Sequence, residues 1–278
     1  MRQAKLQVLG LCRWSYPSQT GAFNNTGESL EALQSELYAA GRMAVRLFFL
    51  EHLVLPSLRA QSDPDFTLVL MMGETLPEPW RSRVLELVQD VPQVKPVFLP
   101  EGQNHMAACT ALMRAHRDES ADVVVEFRLD DDDAVASDFV AQLRGLYRQL
   151  RPIYKANKRV AVDFCRGFLF RCEDDGGVNY LPVEARLWTP ALALYFPPDH
   201  PRSLLNYPHM RTWRSMPVLS LNKKPMFVRG AHEGNDSAIK ERKVDSFRYK
   251  LETLPSVMAS DFGVDLEAFE AAWSEVCA

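Results

Sequence analysis

The sequence predicts an α/β fold in which a mainly parallel central sheet lies between helices. Three observations lead there. Up to residue 150, short apolar runs alternate with segments whose apolar residues recur every three or four positions, the pattern of β-α units. The valine-rich run Ala121–Leu129 passes directly into consecutive aspartates, Asp130-Asp131-Asp132-Asp133, as a buried strand ending in a polar loop would. Beyond about residue 155 helical spacing gives way to short strand candidates and dense proline. The expectation is a single domain over 1–278, with a regular half (1–135) and a less regular half (136–278) that ends in a helix.

Lys5–Cys12 is the first apolar run and reads as a strand. Met43, Leu47, Leu50, Val54 and Leu58 share one face of a helix over residues 41–58. Phe66–Met72 reads as the second strand, and Thr75-x-x-Glu78 with Pro77 has the form of a capping box opening a helix. That helix carries Trp80, Val84, Leu87 and Val88, and Pro92 ends it. Val94–Leu99 reads as a third strand, Asn104–His116 as a helix and Ala121–Leu129 as a fourth strand. Phe139, Leu143, Leu146, Tyr147 and Leu150 form the stripe of a further helix, with Ser137 in position to cap it. Arg159–Asp163, Gly167–Arg171 and Asn179–Ala185 are short strands, the last two joined by a turn at Asp174-Asp175-Gly176-Gly177. Residues 182–225 are expected to be irregular, Pro225–Arg229 a strand, and Leu266, Phe269, Trp273 and Val276 one face of a closing helix.

With 32 basic and 36 acidic residues the chain has a formal charge of −4, which lacks the basic excess of a non-specific nucleic-acid binder. No apolar stretch is long enough to span a membrane, since Met43–Leu58 is broken by Arg46, Glu51 and His52. The five cysteines form no CxxC pair, and an odd, scattered set reads as reduced thiols in a cytoplasmic compartment.

Asp130–Asp133 is the principal candidate site. Adjacent carboxylates repel one another, so a fold that gathers them must supply compensating positive charge. Ligands of open α/β sheets bind beyond the strand carboxyl ends, where this run falls. Hard oxygen donors there suit Mg²⁺ or Mn²⁺ shared with substrate phosphates. The alternative is a solvated helix start, where aspartate is favoured by the macrodipole. An EF-hand is excluded, because Val135 and Ala141 stand where it needs Gly and Glu. Walker A, G-x-G-x-x-G, H-E-x-x-H and G-x-S-x-G patterns are missing from the sequence. Asp131-x-Asp133-x-Val135 does match the nucleophile loop of haloacid-dehalogenase-type phosphohydrolases, although three β-α units precede it here.

The placement of the run resembles the D-x-D region of GT-A glycosyltransferases. The segments Leu9–Pro17 (LGLCRWSYP), Leu55–Phe66 (LPSLRAQSDPDF), Phe127–Ala134 (FRLDDDDA) and His232–Ser237 (HEGNDS) are similar to the bacterial family labelled putative rhamnosyltransferases. The resemblance covers most of the chain in the same motif order. It implies a GT-A-like fold, with 1–135 as the nucleotide-sugar-binding half and 136–278 as the acceptor side. It also implies transfer of a sugar, rhamnose among the options, from a nucleoside diphosphate donor to a glycan, lipid or other hydroxyl acceptor.

On that resemblance Asp133, assisted by Asp131 or Asp132, would hold Mn²⁺ or Mg²⁺ against the donor diphosphate. Asp130 or Asp131 would lie near the ribose or sugar hydroxyls, and the run leaves the D-x-D frame open between 130/132 and 131/133. His232 would complete the metal site. Arg128 would pair with the cluster or serve the strand end, and Arg13 and Ser15 would contact the nucleotide or sit in a plain loop. Asp236 would be the general base or a helix cap. A non-catalytic carbohydrate-binding protein on a decayed transferase fold is a further alternative.

Overall fold

The computed structural model describes residues 4–18, 29–232 and 245–278. In chain order its strands are β1 (Leu6–Arg13), β2 (Thr67–Gly73), β3 (Val94–Leu99), β4 (Val123–Arg128), β5 (Asp133–Val135), β6 (Val160–Phe164), β7 (Arg166–Cys172), β8 (Val178–Glu184), β9 (Leu192–Phe196), β10 (Val218–Leu221) and β11 (Phe227–Ala231). Its α-helices are α1 (Leu30–Leu37), α2 (Ala40–Phe49), α3 (Leu55–Arg59), α4 (Trp80–Val88), α5 (His105–Ala115), α6 (Phe139–Asn157), α7 (Leu254–Val257) and α8 (Leu266–Cys277).

The central sheet has the order β10-β6-β9-β4-β1-β2-β3. Every neighbouring pair is parallel except the two that β9 makes, with β4 and with β6. The mainly parallel sheet between helices is therefore as the β-α alternation predicts. The chain runs outward from β1 through β2 to β3, then returns to place β4 on the other side of β1. That reversal opens a crevice at the carboxyl ends of β1 and β4, where Leu11 lies in register with Arg128. A second, smaller sheet, β5-β11-β7-β8, stands against this end. β5 continues the acidic run and pairs antiparallel with β11, so Asp133 faces Arg229 in register.

Several expected details resolve differently. The stripe over 41–58 is helical, but α2 passes into a π turn at Leu50–Val54 before α3, so that Pro56, which lacks an N–H, falls where the π turn gives way to α-helix. Thr75 caps nothing: its N–H and hydroxyl both go to Glu101, and Pro79 stands at the N-cap of α4. Ser137 is likewise displaced as a cap. Its N–H donates to the Asp261 carbonyl, and Asp138 precedes α6. The stretch expected to be irregular contains β9, buried along its whole length, and β10. α1, which the sequence reading passed over, is capped by the Ser29 hydroxyl accepting from the Ala32 N–H.

Candidate active site

β1 and β4 deliver Arg13 and Arg128 to the crevice, and the loop after β4 folds Asp130 back between them. Asp130 accepts a 2.8 Å bond from Arg13 and a 2.9 Å bond from Arg128. Burial opposes its ionisation, but the guanidiniums of Arg128 and Arg13 outweigh that and hold its carboxyl well below the ordinary range. Arg13 is gripped from the other side by His105 Nε2 at 2.9 Å. His105, the first residue of α5, in turn contacts the Ser18 hydroxyl at 3.1 Å through Nδ1. Burial, with Arg13 and Arg128 adding to it, lowers the His105 pKa to about 4, so the ring is neutral at pH 7.

The next carboxylates meet a helix rather than a strand. Arg46 on α2 is 4% exposed and lies 2.5 Å from Asp131 and 3.5 Å from Asp132. Burial pushes the Asp131 pKa up to about 7; Arg46 works against this, while Asp132 and Asp130 add to it. Asp132 also lies 3.6 Å from His232 Nε2. His232 follows β11, and its ring stacks on Phe49 at 5.1 Å. The Gly230 N–H donates to the Asp132 carbonyl at 2.8 Å, fixing the loop against β11. A Cβ at Gly230 would stand 2.5 Å from that carbonyl oxygen and 3.0 Å from the Phe49 ring, which explains the glycine.

Asp133 is 2% exposed. Burial, then the charges of Asp132 and Asp130, raise its pKa well above the carboxylate range. Its Oδ1 is buried with no hydrogen-bond partner among the described residues. Ser15 is a strained residue of the site. It adopts φ 48° just after β1, and its Oγ is also buried without a hydrogen-bond partner among the described residues.

The sequence-predicted residues Arg13, Ser15, Arg128, Asp130, Asp131, Asp132, Asp133 and His232 thus converge on one end of the sheet. Asp236 lies outside the described residues. The charge that compensates the run is supplied largely by guanidiniums, of which the sequence reading foresaw Arg128 but not Arg46. Arg46 was legible in principle, because an arginine on the apolar face of a helix requires a buried anion. Arg229, facing Asp133 across β11 and lying over the Trp188 ring at 4.7 Å, carried no such signal. Asp131, the nucleophile the phosphohydrolase alternative would need, is 5% exposed and already engaged by Arg46.

Among the described residues no three His, Cys, Asp or Glu side chains are grouped so as to hold a metal ion. The residues present nonetheless fit a cation of the Mg²⁺ or Mn²⁺ kind. Such ions keep several waters and take only one or two protein ligands when phosphates complete the shell. Asp132 with His232 supplies that pair, and the unpartnered Asp133 oxygen lies on the same strand start.

Fold and site together define an α/β protein of the open-sheet class, with opposed carboxylates and guanidiniums at its switch point. The chain belongs to the family described as "Putative rhamnosyl transferase", whose profile matches residues 7–244. No curated protein matches the chain. Solved structures to which the chain is similar include the following three. The S. aureus TarS fragment 1-349, in complex with UDP-GlcNAc, is 11% identical over 83% of this chain and 60% of that one, with a TM-score of 0.42. A protein of Desulfovibrio desulfuricans G20 described as a putative nucleotide-diphospho-sugar transferase is 12% identical over 99% of both chains, with a TM-score of 0.41. The mannosyltransferase PcManGT of Pyrobaculum calidifontis, in complex with GDP-Man and Mn²⁺, is 11% identical over 80% of this chain and 56% of that one, with a TM-score of 0.40. The chain thus spans well under two thirds of TarS 1-349 and of the mannosyltransferase.

Proposed function

We propose that this chain is a GT-A-type transferase that moves a sugar from a nucleoside diphosphate donor to a hydroxyl acceptor on a glycan or lipid, with rhamnose as the sugar its family description suggests. The observation that carries the reading is the Asp132–His232 pair, 3.6 Å apart, at the crevice between β1 and β4.

In this reading the D-x-D frame is 130/132. Asp130, held ionised by Arg13 and Arg128, faces the donor's ribose or sugar hydroxyls as an acceptor-only group. Asp132 and His232 hold the divalent ion, and Asp133 backs them from the start of β5. The ion, when bound, neutralises charge on the departing diphosphate. Arg13 and the Ser15 hydroxyl bind the nucleotide beside β1, and Arg128 supports Asp130. The burial of Asp131, Asp132 and Asp133 lowers the local dielectric and strengthens the charge interactions among these groups.

Thermal shifts with UDP, GDP and dTDP, each with and without Mn²⁺, test this directly, because a ligand that binds the folded state raises its apparent stability. A shift that requires both nucleotide and Mn²⁺ is expected for at least one base. Asp132→Asn is expected to abolish the Mn²⁺-dependent part while leaving the metal-free melting temperature near that of the parent. Parent-like nucleotide and Mn²⁺ binding by Asp132→Asn would sink the assignment.

A further inference from the structure

Leu187 holds a left-handed backbone, φ 60°, which a bulky residue adopts only where its surroundings impose it. The imposing group is Asp163, buried near the carboxyl end of β6. Its Oδ1 accepts from the Leu187 N–H at 2.9 Å, and its Oδ2 accepts from the Ser220 hydroxyl at 2.9 Å. The Leu187 carbonyl is thereby set 2.6 Å from Nδ1 of His209. A carbonyl only accepts, so Nδ1 carries the hydrogen and Nε2 keeps its lone pair.

No described residue hydrogen-bonds Nε2. The ring lies within electrostatic reach of Arg128 on β4, Arg229 on β11 and Asp130 in the acidic loop, the residues gathered at the carboxyl ends of β1 and β4. Burial, reinforced by Arg128 and Arg229, holds the imidazole below its ordinary pKa although the Leu187 bond opposes this, so the ring is neutral and able to take a proton at pH 7. A buried carboxylate, a strained peptide and an imidazole of fixed tautomer form a relay through the backbone that packing alone does not require.

We infer that His209 is the general base of the transfer reaction, with Asp163 and Leu187 as the residues that position it. The inference rests on the nucleotide-sugar reading above. The acceptor hydroxyl gives its proton to His209 Nε2 as its oxygen bonds to the anomeric carbon. The bond from that carbon to the phosphate oxygen breaks, and the nucleoside diphosphate leaves with the electron pair. The proton then passes from the ring to solvent. A base placed to assist the acceptor in this way belongs to a direct displacement, so the anomeric configuration inverts.

The test uses the whole chain with Mn²⁺, dTDP-rhamnose, GDP-mannose and UDP-glucose as donors, and water as the acceptor. Nucleoside diphosphate release, donor affinity and the anomer first formed are measured together. His209→Gln retains a donor to the Leu187 carbonyl but cannot take a proton, and His209→Ala leaves space for added imidazole. Both variants are expected to bind donor like the parent and to release diphosphate about 10²–10⁴-fold more slowly. Imidazole should restore part of the rate to His209→Ala alone, and the parent's product should be inverted. Parent-like rates in both variants, with activity lost instead in Asp236→Asn, would overturn the inference while leaving the nucleotide-sugar reading intact. A retained anomer would overturn it too. A parent protein that binds none of the nucleotides would remove that reading, and this inference with it.

Discussion

Asp163 sits where no water can share its charge, and the cost of that position depends on pH. Burial raises its pKa from 3.8 to about 6, against the hydrogen bonds from Ser220 and Leu187. The unfolded chain releases this proton near pH 4, whereas the folded chain keeps it until about pH 6. Between those values the folded state binds more protons, so stability falls as pH rises, by up to roughly 3 kcal/mol for a shift of about two units. Asp163→Asn keeps an acceptor for Leu187 and carries no charge, so it is expected to lack this slope. Urea unfolding of parent and variant from pH 4 to 7 measures the difference between them, and a flat difference would refute the assignment. Single residues were legible from the sequence where chemistry was concentrated. Asp130–Asp133 stood out as a run, and His232 stood out through its segment. Asp163, His105 and His209 are isolated in sequence and acquire meaning only from what the fold brings to them: a left-handed peptide, an arginine and a crevice.

At the scale of elements, the contact between β11 and the acidic loop controls the site. Gly230→Ala would drive a Cβ to 2.5 Å from the Asp132 carbonyl oxygen, so the loop or β11 must move. The expected result is at least a tenfold loss in Mn²⁺-dependent nucleotide affinity by calorimetry, with a stability loss of about 1–3 kcal/mol from overpacking. Gly145→Ala on α6 meets nothing within 4 Å and serves as the control. It should bind like the parent and gain about 0.5–1 kcal/mol. The elements built on strong periodicity were legible: β1 to β4, α4 to α6, the β7–β8 hairpin and α8 all fall close to their expected spans. β5, β9 and β10 were not. Asp133–Val135 is three residues long and begins with a charge, which no periodicity can detect. Leu192–Phe196 is apolar throughout because the sheet buries both its faces, and it lies among prolines that argue for loop.

Across the molecule His232, the histidine proposed to hold the ion, is itself held by a chain of rings that ends in the last helix. His232 stacks on Phe49, Phe49 meets Phe48 edge-on at 5.0 Å, and Phe48 packs on Phe269 at 4.8 Å and Trp273 at 5.1 Å of α8. Trp273→Ala is expected to cost about 3–5 kcal/mol in chemical denaturation and to weaken Mn²⁺ binding by loosening that stack. Trp213, 60% exposed, should change stability by less than about 0.5 kcal/mol when replaced by Ala. Equal effects of the two substitutions would refute the ring-chain account. The α/β class and the position of the acidic run at the sheet's carboxyl edge could be read from the sequence, because both follow from β-α order. The second sheet could not be read beyond its β7–β8 hairpin, since β5 and β11 join it from remote stretches, β11 pairing parallel with β7 and antiparallel with β5. Among the described residues no helix is long and apolar enough to cross a membrane.

The pairing of β5 with β11 also sets a timetable for synthesis. The ribosome delivers β1 to β4 first, and these can zip together as a parallel sheet while the rest of the chain is still being made. Val135 must then wait for its partner Phe227, and Asp133 for Arg229. During that interval the nascent chain carries its carboxylates with Arg13, Arg46 and Arg128 already translated beside them, but without His232. The guanidiniums that balance the acidic loop are thus made before or with it, whereas the strand that pairs with β5 arrives about ninety residues later.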